Sequence, residues 1–364
     1  MVINRDFFDE LFVLEMANNH WGRLERGKKI VDEFSKVVRY NNVRASIKLQ
    51  LRNVDSFIHN DHNHRTDVRY IKKTMDTKMP KEDIASLVEY ITKSGCIPTA
   101  TPFDEESVDL AMELDLPMLK IASSDINDWV LIEKIAITRK PVIASTGGSS
   151  LKDVDDLVTF FENRKIPLAI NHCVSLYPTD DEQLELNQID FLRNRYPEVT
   201  IGLSSHEYCD WTSSISIAYA KGARTFERHI DIEADDIPVS PYCSLPLQVD
   251  QWFKAFKKTK VMCGAPGTDK RIPSHAEIKY LDALVRGVYA RHDLFSGHRI
   301  TEKDIYLAVP LLKGQLSCRE LISGETVARD VKADLPLMID DLDNPYSRDI
   351  ELRSQILSRG HDVE

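Results

Sequence analysis

Several features common in secreted, membrane-bound and zinc-dependent proteins are missing from this sequence. The six cysteines are scattered and none forms a CxxC pair, which argues against a disulfide framework and against a structural zinc site. No apolar run approaches the roughly 20 residues that a membrane span needs. The N-terminal stretch MVINRDFFDE also lacks the basic and apolar regions of a signal peptide. These absences predict a cytoplasmic protein with no membrane partner.

A basic surface is missing too. The chain has 47 Lys and Arg residues against 58 Asp and Glu residues, and its formal net charge at pH 7 is -11. Proteins that bind the nucleic-acid polyanion normally present a basic face, so we expect no nucleic-acid partner. A few Lys and Ser side chains that converge locally could still bind a phosphate.

The sequence does contain a regular alternation of short β-rich runs with amphipathic helical segments. Eight such runs occur in the first three quarters of the chain, at residues 11–16, 43–49, 97–100, 117–122, 141–145, 167–173, 199–204 and 224–229. Eight alternating units predict an α/β fold, a (β/α)8 TIM barrel, over residues 1–275. An open doubly wound sheet is the alternative, but no GxGxxG motif follows the first run, where a dinucleotide-binding fold would need it.

The pattern changes after about residue 275. Short β-rich runs, Gly turns and a mixture of acidic and basic residues replace the long alternating units. This change predicts a second, small, mostly β domain over residues 283–338. Residues 339–364 form a polar C-terminal tail, which we expect to be either a helix packed on the outside or a partly frayed segment.

Hydrogen-bonding residues stand at the end of every predicted strand. In chain order they include Glu15 and Asn19, Lys48 and Gln50, Thr101, Lys120 with Ser123 and Asp125, Ser145, Ser175 with Tyr177, Ser204 with His206, and Glu227 with His229. Taken singly, a lysine here is usually solvated, a serine caps the next helix and a histidine is a satisfied core group. In a barrel, however, the C-terminal ends of all eight strands share one rim. The occurrence of polar residues at all eight strand ends therefore predicts an active site at that rim.

The residue types at the rim indicate the chemistry. Two lysines with several hydroxyls suit a small dianion, such as a phosphate ester that also carries a carboxylate. His206 and His229 follow neighbouring strands and are placed to share one metal ion, with water and substrate completing its coordination. Such a metal would act as a Lewis acid on a substrate carbonyl.

These residues also carry a family resemblance. The run TPFDEESVDLAMELDLPMLKIASSDINDWVLIEKIAITRKPVIASTGG, with EMANNHWG, IKLQ, HCVSLYPT, GLSSHE and ERH, resembles the sialic acid synthase family, the N-acetylneuraminate synthases and their pseudaminic and legionaminic acid relatives. The C-terminal ARHDLFSGHRITEKDIYLAVP and ETVARDVKADLPL are similar to the antifreeze-like (SAF) domain of that family.

The resemblance implies condensation of phosphoenolpyruvate with the open-chain aldehyde of an N-acyl hexosamine, giving a nine-carbon 2-keto acid and phosphate. The positions that match phosphoenolpyruvate-binding residues are Lys48, Thr101, Lys120, Ser123, Ser145 and Ser204. His206 and His229 match the ligands of a divalent metal, usually manganese, with magnesium or cobalt as alternatives. We expect catalytic roles for Glu15, Asp125, Lys48 and Lys120, and acceptor-binding roles for Asn19, Gln50, Ser175, Tyr177, Ser240 and Arg286.

The family further implies a domain-swapped homodimer in which the small domain donates an arginine to the partner's barrel; Arg286 is our candidate. Three positions depart from the family pattern on the acceptor side. Asp125 replaces a glutamate, Ser175 replaces an asparagine, and Ser240 stands nearest to the place of an aspartate. These departures favour an acceptor other than N-acetylmannosamine.

Two other functions stay open at this point. The chain could be a metal-dependent aldolase that uses pyruvate, although the phosphate-binding serines would then have no role. It could also be a catalytically inactive barrel that binds a sugar. A metal site at His59, His62 and His64 in IHNDHNHR is a weaker possibility, because this charged stretch lies in the long loop after the second strand.

Overall fold

The computed structural model describes residues 7–265, 267–320, 323–343 and 345–362, with only the backbone of Tyr346 among them. The chain divides into two compact units, with the boundary after Gly264. No helix within the described ranges is long and apolar enough to cross a membrane.

The first unit is built on a closed parallel barrel whose strands follow one another in chain order, which confirms the TIM-barrel prediction. The described barrel strands are β1 Leu11–Ala17, β2 Ala45–Leu51, β3 Ile97–Pro102, β4 Leu119–Ile121, β5 Val142–Ser145, β6 Leu168–Cys173, β7 Thr200–Ser205 and β8 Thr225–His229. Strand β8 pairs with β1 in parallel and closes the barrel, with Val13 opposite Glu227 and Glu15 opposite His229.

Helices surround this barrel. They are α1 Leu24–Asn41, α2 Val54–Phe57, α3 Arg69–Asp76, α4 Lys81–Lys93, α5 Glu105–Glu113, α6 Trp129–Ile137, α7 Leu151–Arg164, α8 Gln188–Arg195, α9 Ser213–Ala220 and α10 Pro246–Cys263. Their apolar residues recur at helical spacing, as Ile30, Phe34 and Val38 do in α1, and these faces are buried against the strands. Helix α7 begins with a capping box between Ser150 and Asp153.

Alternation along β1 shows how the barrel positions a site. Phe12 and Leu14 belong to the apolar layer shared with the helices. Leu11 and Val13 belong to a separate apolar cluster with Ile143 of β5 and Ala169 of β6, and this cluster fills the barrel interior. Glu15 continues this inward-facing set, so the strand delivers a carboxylate to the end of a packed apolar interior.

The second unit contains two small antiparallel sheets. Its elements are α11 His275–Asp282, β9 Gly287–Ala290, β10 Ile305–Ala308, β11 Thr326–Val327, β12 Leu342–Asp343, α12 Pro345–Arg348 and α13 Ile350–Leu357. Strand β9 pairs with β10, and β11 pairs with β12. Ile339, Leu342 and Ile356 are buried in the apolar core of this unit together with Val288 and Leu337.

Candidate active site

A cavity of about 700 Å³ lies at the C-terminal ends of the barrel strands. It collects most of the residues that the strand-end pattern singled out. These are Glu15, Asn19, Lys48, Gln50, Thr101, Lys120, Ser123, Ser145, Ser175, Tyr177, Ser204, His206, Glu227 and His229. A volume of this size is typical of small-molecule sites.

Glu227 lies between two lysines at the centre of the cavity. Its Oε2 atom is 2.6 Å from Lys120 Nζ, and its Oε1 atom is 3.3 Å from Lys48 Nζ. Lys48 also contacts the Glu15 carboxylate and donates a hydrogen bond of 2.8 Å to Thr101 Oγ1. All of these side chains are buried. Burying a single charge is costly, so this alternating arrangement of ammonium and carboxylate groups is what allows two lysines to lie in the barrel. The sequence placed Glu227 at the rim but did not indicate this bridging position.

Burial and neighbouring charge act in opposite directions on the pKa values of this cluster. Burial alone would raise the pKa of Glu227, but the charges of Lys120 and Lys48 outweigh it and hold the pKa of the carboxyl well below its usual range. For Lys48, burial dominates over the attraction of Glu227 and lowers the pKa from 10.5 to about 8. Both groups are therefore charged at neutral pH.

Glu15 keeps unused hydrogen-bonding capacity. Its Oε1 atom is buried and has no hydrogen-bond partner within the part of the chain that the structure describes. Since Glu15 lines the cavity beside Lys48, this oxygen is available to a bound water or substrate hydroxyl.

Hydroxyl groups and one glycine shape another part of the cavity wall. The backbone nitrogen of Gly147 donates a hydrogen bond of 3.0 Å to Ser123 Oγ. The hydroxyl of Ser145 is buried without a partner among the described residues. A Cβ atom at position 147 would lie 2.1 Å from Ser175 Oγ, so only glycine fits here. Short hydroxyl donors at a close backbone approach are suited to oxyanion binding.

His206 and His229 face each other across the cavity, with ring centroids 5.4 Å apart. The Nδ1 atom of His206 is 2.9 Å from the carbonyl oxygen of Val174, so Nδ1 carries the proton and Nε2 keeps its lone pair. Tyr177 covers this pair, with its ring centroid 4.0 Å from that of His206. Burial lowers the pKa of His206 to about 4. Burial, together with the charges of His206 and Lys48, holds the pKa of His229 well below its usual range.

Neutral imidazoles with a fixed tautomer are the form of histidine that binds metals, and the His206–Val174 contact is a typical support for a ligand. Within the described residues, no group of three or more His, Cys, Asp and Glu side chains is arranged to hold a metal ion. The residues present therefore fit a metal held by two protein nitrogens, with its other positions left to small molecules. The metal itself remains a prediction.

A second buried ion pair supports the two histidines from outside the cavity. Arg228, next to His229, places Nη1 2.6 Å from Oε1 of Glu207, which is next to His206. Arg228 also donates hydrogen bonds to the Glu207 carbonyl oxygen and to Ser244 Oγ. The motifs GLSSHE and ERH contain both residues, but nothing in their spacing indicated that they pair.

Sequence reasoning missed two cations that line the cavity, Arg52 and Lys73. Arg52 follows β2, and Lys73 belongs to α3. They lie in the segment between β2 and α4, where no regular pattern ties a residue to a strand end. The signal that could have found Arg52 is its distance of four residues from Lys48.

Two predicted site residues of the first unit are absent from the described cavity lining, and a third belongs to the second unit. Asp125 ends a short 3-10 turn after β4, and Ser240 lies in the loop between β8 and α10; neither is among the described residues that line the cavity. Burial raises the pKa of Asp125. Arg286 is an exposed residue of the second unit, just before β9. The roles of all three stay predictions.

The loop with His59, His62 and His64 is exposed. The rings of His59 and His62 are 5.7 Å apart, and a short 3-10 turn over Asn60–His62 holds them there. None of the three is among the described residues that line the cavity.

Comparisons with known proteins agree with this geometry. Residues 42–265, more than half of the chain, match the NeuB family model, and residues 285–343 match the SAF domain model. The chain is 26% identical to the N-acetylneuraminate-9-phosphate synthase of Drosophila melanogaster over 366 residues, which cover 93% of this chain and 97% of that protein.

The chain is also 25% identical to a pseudaminic acid synthase of Campylobacter jejuni, over 88% of this chain and 93% of that protein. A crystal structure of a putative spore coat polysaccharide biosynthesis protein E from Chromobacterium violaceum superimposes with a TM-score of 0.88 at 37% identity, covering 92% of this chain and all of that one. The resemblance to sialic acid synthases, with its barrel and SAF domain, is confirmed: the chain belongs to the NeuB family and is an enzyme of its transferase type.

Proposed function

We propose that this enzyme condenses phosphoenolpyruvate with the aldehyde of an N-acyl hexosamine-type sugar, releasing phosphate and forming a 2-keto acid of the sialic acid type. The observation that carries the proposal is the juxtaposition, in one cavity, of the Lys48–Glu227–Lys120 cluster and the His206–His229 pair. The first group suits an anion, and the second suits a metal.

The cavity is positively charged within an acidic protein. Its lining contains the cations Lys48, Arg52, Lys73 and Lys120 and the carboxylates Glu15 and Glu227, so four positive charges stand against two negative ones. With neutral histidines, the lining carries two more positive charges than negative ones. This excess favours phosphoenolpyruvate, which carries both a phosphate and a carboxylate. Thr101, Ser123, Ser145 and Ser204 supply hydroxyl groups to the same anion.

His206 and His229 would hold a divalent metal, most simply manganese, with magnesium or cobalt as alternatives. When bound, the metal supplies Lewis acidity at the aldehyde oxygen of the sugar. Tyr177 lies over both imidazoles and orients whatever occupies the space beside them.

The atoms of the reaction balance with one water molecule. C3 of phosphoenolpyruvate forms a bond to the aldehyde carbon, and the aldehyde oxygen takes up a proton. Water adds at C2 and releases one proton, which balances the proton taken up by the aldehyde oxygen. The tetrahedral intermediate then breaks the bond between C2 and the bridging oxygen of the phosphate; the C2 hydroxyl becomes the keto group, and its proton leaves with the phosphate. The free Oε1 atom of Glu15 is suited to accept the proton of the attacking water, while Lys48 stays protonated beside it.

The relatives support this reaction class, because their names describe syntheses of N-acetylneuraminic acid 9-phosphate and pseudaminic acid. We propose an acceptor other than N-acetylmannosamine, a cytoplasmic location and a domain-swapped homodimer in which Arg286 reaches the partner's barrel. A pyruvate-dependent aldolase and an inactive sugar-binding barrel are less favoured, since neither needs the lysine cluster and the serine hydroxyls together.

Phosphate release tests the proposal. The enzyme with manganese is incubated with phosphoenolpyruvate labelled with 18O at the bridging position, in the presence and absence of a panel of aldoses. We expect aldose-dependent release of phosphate that contains the label, together with a 2-keto acid whose mass equals sugar plus pyruvate. Equal turnover with pyruvate would indicate an aldolase, and consumption of neither compound would indicate a binding protein.

A further inference from the structure

Arg26, in the first turn of α1, is a buried arginine with an acceptor for every donor of its guanidinium group. Its side chain is only 1% exposed. The group has five N–H donors. The five acceptors are the Asn19 carbonyl oxygen at 2.7 Å from Nε, the Ala234 carbonyl oxygen and Asp235 Oδ2 at 2.6 and 3.4 Å from Nη1, and Asp231 Oδ1 and the Ile232 carbonyl oxygen at 2.8 and 3.2 Å from Nη2. An arginine engaged in this way fixes the groups around it.

These acceptors belong to two loops at the rim of the barrel. Asn19 lies between β1 and α1, and the other four acceptors lie in the loop of residues 230–245, between β8 and α10. Asp231 is 205 residues away from Arg26 in the sequence. Because β1 and β8 are neighbouring strands, their following loops meet at one place, and Arg26 joins them there.

The first part of the loop after β8 contains a tight turn that needs outside support. Ala234 pairs with Ile237 across the turn, and the two central residues, Asp235 and Asp236, have φ values of 61° and 54°. Glycine or asparagine is favoured at such positions, so two aspartates adopt this conformation at a cost. Arg26 binds the Ala234 carbonyl oxygen. It also shares the Asp235 carboxylate with a lysine one turn later in α1.

Asn19 connects Arg26 with the two ends of the same loop. The Asn19 Nδ2 atom donates hydrogen bonds to the Ile230 carbonyl oxygen at 2.8 Å and to Cys243 Sγ at 3.4 Å. Ile230 also pairs with Ser244, so the ends of the loop meet here. Arg26 holds the Asn19 main chain, and the Asn19 side chain holds the loop ends. One buried group therefore fixes both the turn and the base of the loop.

Tyr242 is the residue through which this loop reaches the cavity. Its ring centroid is 5.2 Å from that of His229 and 5.3 Å from that of Tyr177. Tyr242 and Asn19 both line the cavity. The two lysines assigned to the enol phosphate belong to strands β2 and β4, whereas Asn19 and Tyr242 stand on loops beyond the strand ends. A wall made by these loops is therefore suited to the second substrate, whose aldehyde must lie beside the imidazole pair.

We propose that Arg26 is a positioning residue for the acceptor sugar, because it holds Tyr242 and Asn19 in place as one wall of the cavity. Arg26 itself is not among the described residues that line the cavity. The role rests on the proposed condensation and concerns its acceptor. Lysine cannot replace Arg26 here, since an ammonium group has three donors and no planar fork.

Steady-state kinetics test this role with Arg26→Lys, and Arg39→Lys is the control because Arg39 is an exposed arginine in the last turn of α1. The manganese-loaded enzyme is assayed with phosphoenolpyruvate and with N-acetylmannosamine or a di-N-acetylated hexosamine, whichever the wild type turns over faster. We expect Arg26→Lys to raise KM for the sugar about tenfold or more, the range of one or two lost hydrogen bonds, and to keep KM for phosphoenolpyruvate within about threefold. Arg39→Lys should match the wild type.

Two further variants connect the effect to the loop. Asp231→Asn keeps an oxygen for Arg26 but loses the charge that Arg26 and Lys73 both face, so it should raise KM for the sugar less than Arg26→Lys does. Tyr242→Ala should raise the same KM, and its combination with Arg26→Lys should add little, because both changes disturb one wall. Full additivity of these two changes would overturn the proposal. So would equal changes, or no change, in the two KM values of Arg26→Lys.

Fluorine NMR separates failure of this proposal from failure of the condensation, because it requires no turnover. The full chain is labelled with 3-fluorotyrosine, and the Tyr242 resonance is assigned by its loss in Tyr242→Phe. We expect this resonance to shift or broaden in Arg26→Lys and to stay unchanged in Arg39→Lys. Should Arg26→Lys fail to fold, Asp231→Asn serves for both measurements. An unchanged Tyr242 resonance overturns the positioning role even if the condensation is confirmed.

Discussion

Arg228 and Glu207 form an ion pair that is shielded from solvent, with each side chain only 1% exposed. The pair joins the ends of β7 and β8, one residue away from His206 and His229 respectively. A buried pair of this kind contributes little net stability compared with apolar packing, but removal of one partner leaves an uncompensated charge. Its position indicates that it fixes the spacing of the two imidazoles.

We expect Arg228→Gln to lower the free energy of unfolding by about 3–5 kcal/mol, since Glu207 would remain buried without its counter-charge. Denaturant unfolding measures this. The matched control is Arg195→Gln, which breaks the exposed Arg195–Asp155 pair and should cost at most about 1 kcal/mol. If the positioning role is correct, Glu207→Gln should also weaken manganese binding about tenfold or more. Equal effects of Arg228→Gln and Arg195→Gln on stability would contradict the first part.

Removal of metal should abolish turnover without unfolding the enzyme. Two imidazole ligands give an exchangeable site, so a chelator should reach it and added manganese should restore activity. His206→Ala and His229→Ala should each lose this restoration, while the thermal midpoint of the chelated wild type stays within a few degrees of the loaded one. Full activity in excess chelator would show that the histidines serve another purpose.

Replacement of Lys120 should weaken the use of phosphoenolpyruvate. In Lys120→Ala an anionic substrate loses one charge-assisted contact, worth about 1.5–3 kcal/mol, or roughly 10- to 150-fold in kcat/KM. Lys134→Ala is the control, because that lysine is paired with Asp109 outside the cavity. An unchanged kcat/KM in Lys120→Ala would remove Lys120 from the anion site.

The pKa of Lys48 predicts a pH dependence. Burial lowers this pKa from 10.5 to about 8, so the free enzyme loses the Lys48 charge as the pH rises through about 8. We expect kcat/KM for phosphoenolpyruvate to be constant below that pH and to fall above it, since kcat/KM reports groups of the free enzyme. In Lys48→Arg, whose guanidinium stays charged, any residual activity should not show this fall. A fall only above pH 10 in the wild type would disagree with the buried cluster.

A methyl group at position 147 should displace the hydroxyl groups of Ser123 and Ser175 in the cavity wall. The added Cβ would lie 2.1 Å from Ser175 Oγ and 2.9 Å from Ser123 Oγ, both within the cavity wall. We expect Gly147→Ala to raise KM for phosphoenolpyruvate, and Gly147→Ala combined with Ser175→Ala to recover part of the loss, because the nearest obstructing atom is then absent. Gly148 has a positive φ of 73° but no atom within 4 Å of its added Cβ, so Gly148→Ala tests backbone strain alone.

Strand order and the rim of polar side chains could be predicted because each depends on a local pattern. The period of two along β1 decides that Glu15 faces inwards, and the same rule applies to every other strand. Glu227 is different. Its position between Lys48 and Lys120 depends on distances across the barrel, which a local sequence pattern does not reveal. Arg52 and Lys73 lie between β2 and α4, and only the folded chain shows that they line the cavity. Asp125 and Ser240 were assigned from the family resemblance; they stand in the turn after β4 and the loop after β8, where a local pattern does not decide which side chains line the cavity.

Strand β8 gives three consecutive residues three separate environments. Glu227 bridges the lysines, Arg228 faces Glu207 outside the cavity, and His229 faces His206 inside it. Because the side-chain direction alternates, an insertion or deletion of one residue would exchange inward and outward positions along the whole strand. Such a change would remove the anion site, the imidazole pair and the supporting ion pair in a single step. A change in chain length within the irregular segment between β2 and α3 would shift no strand register, whereas one between Thr225 and His229 would.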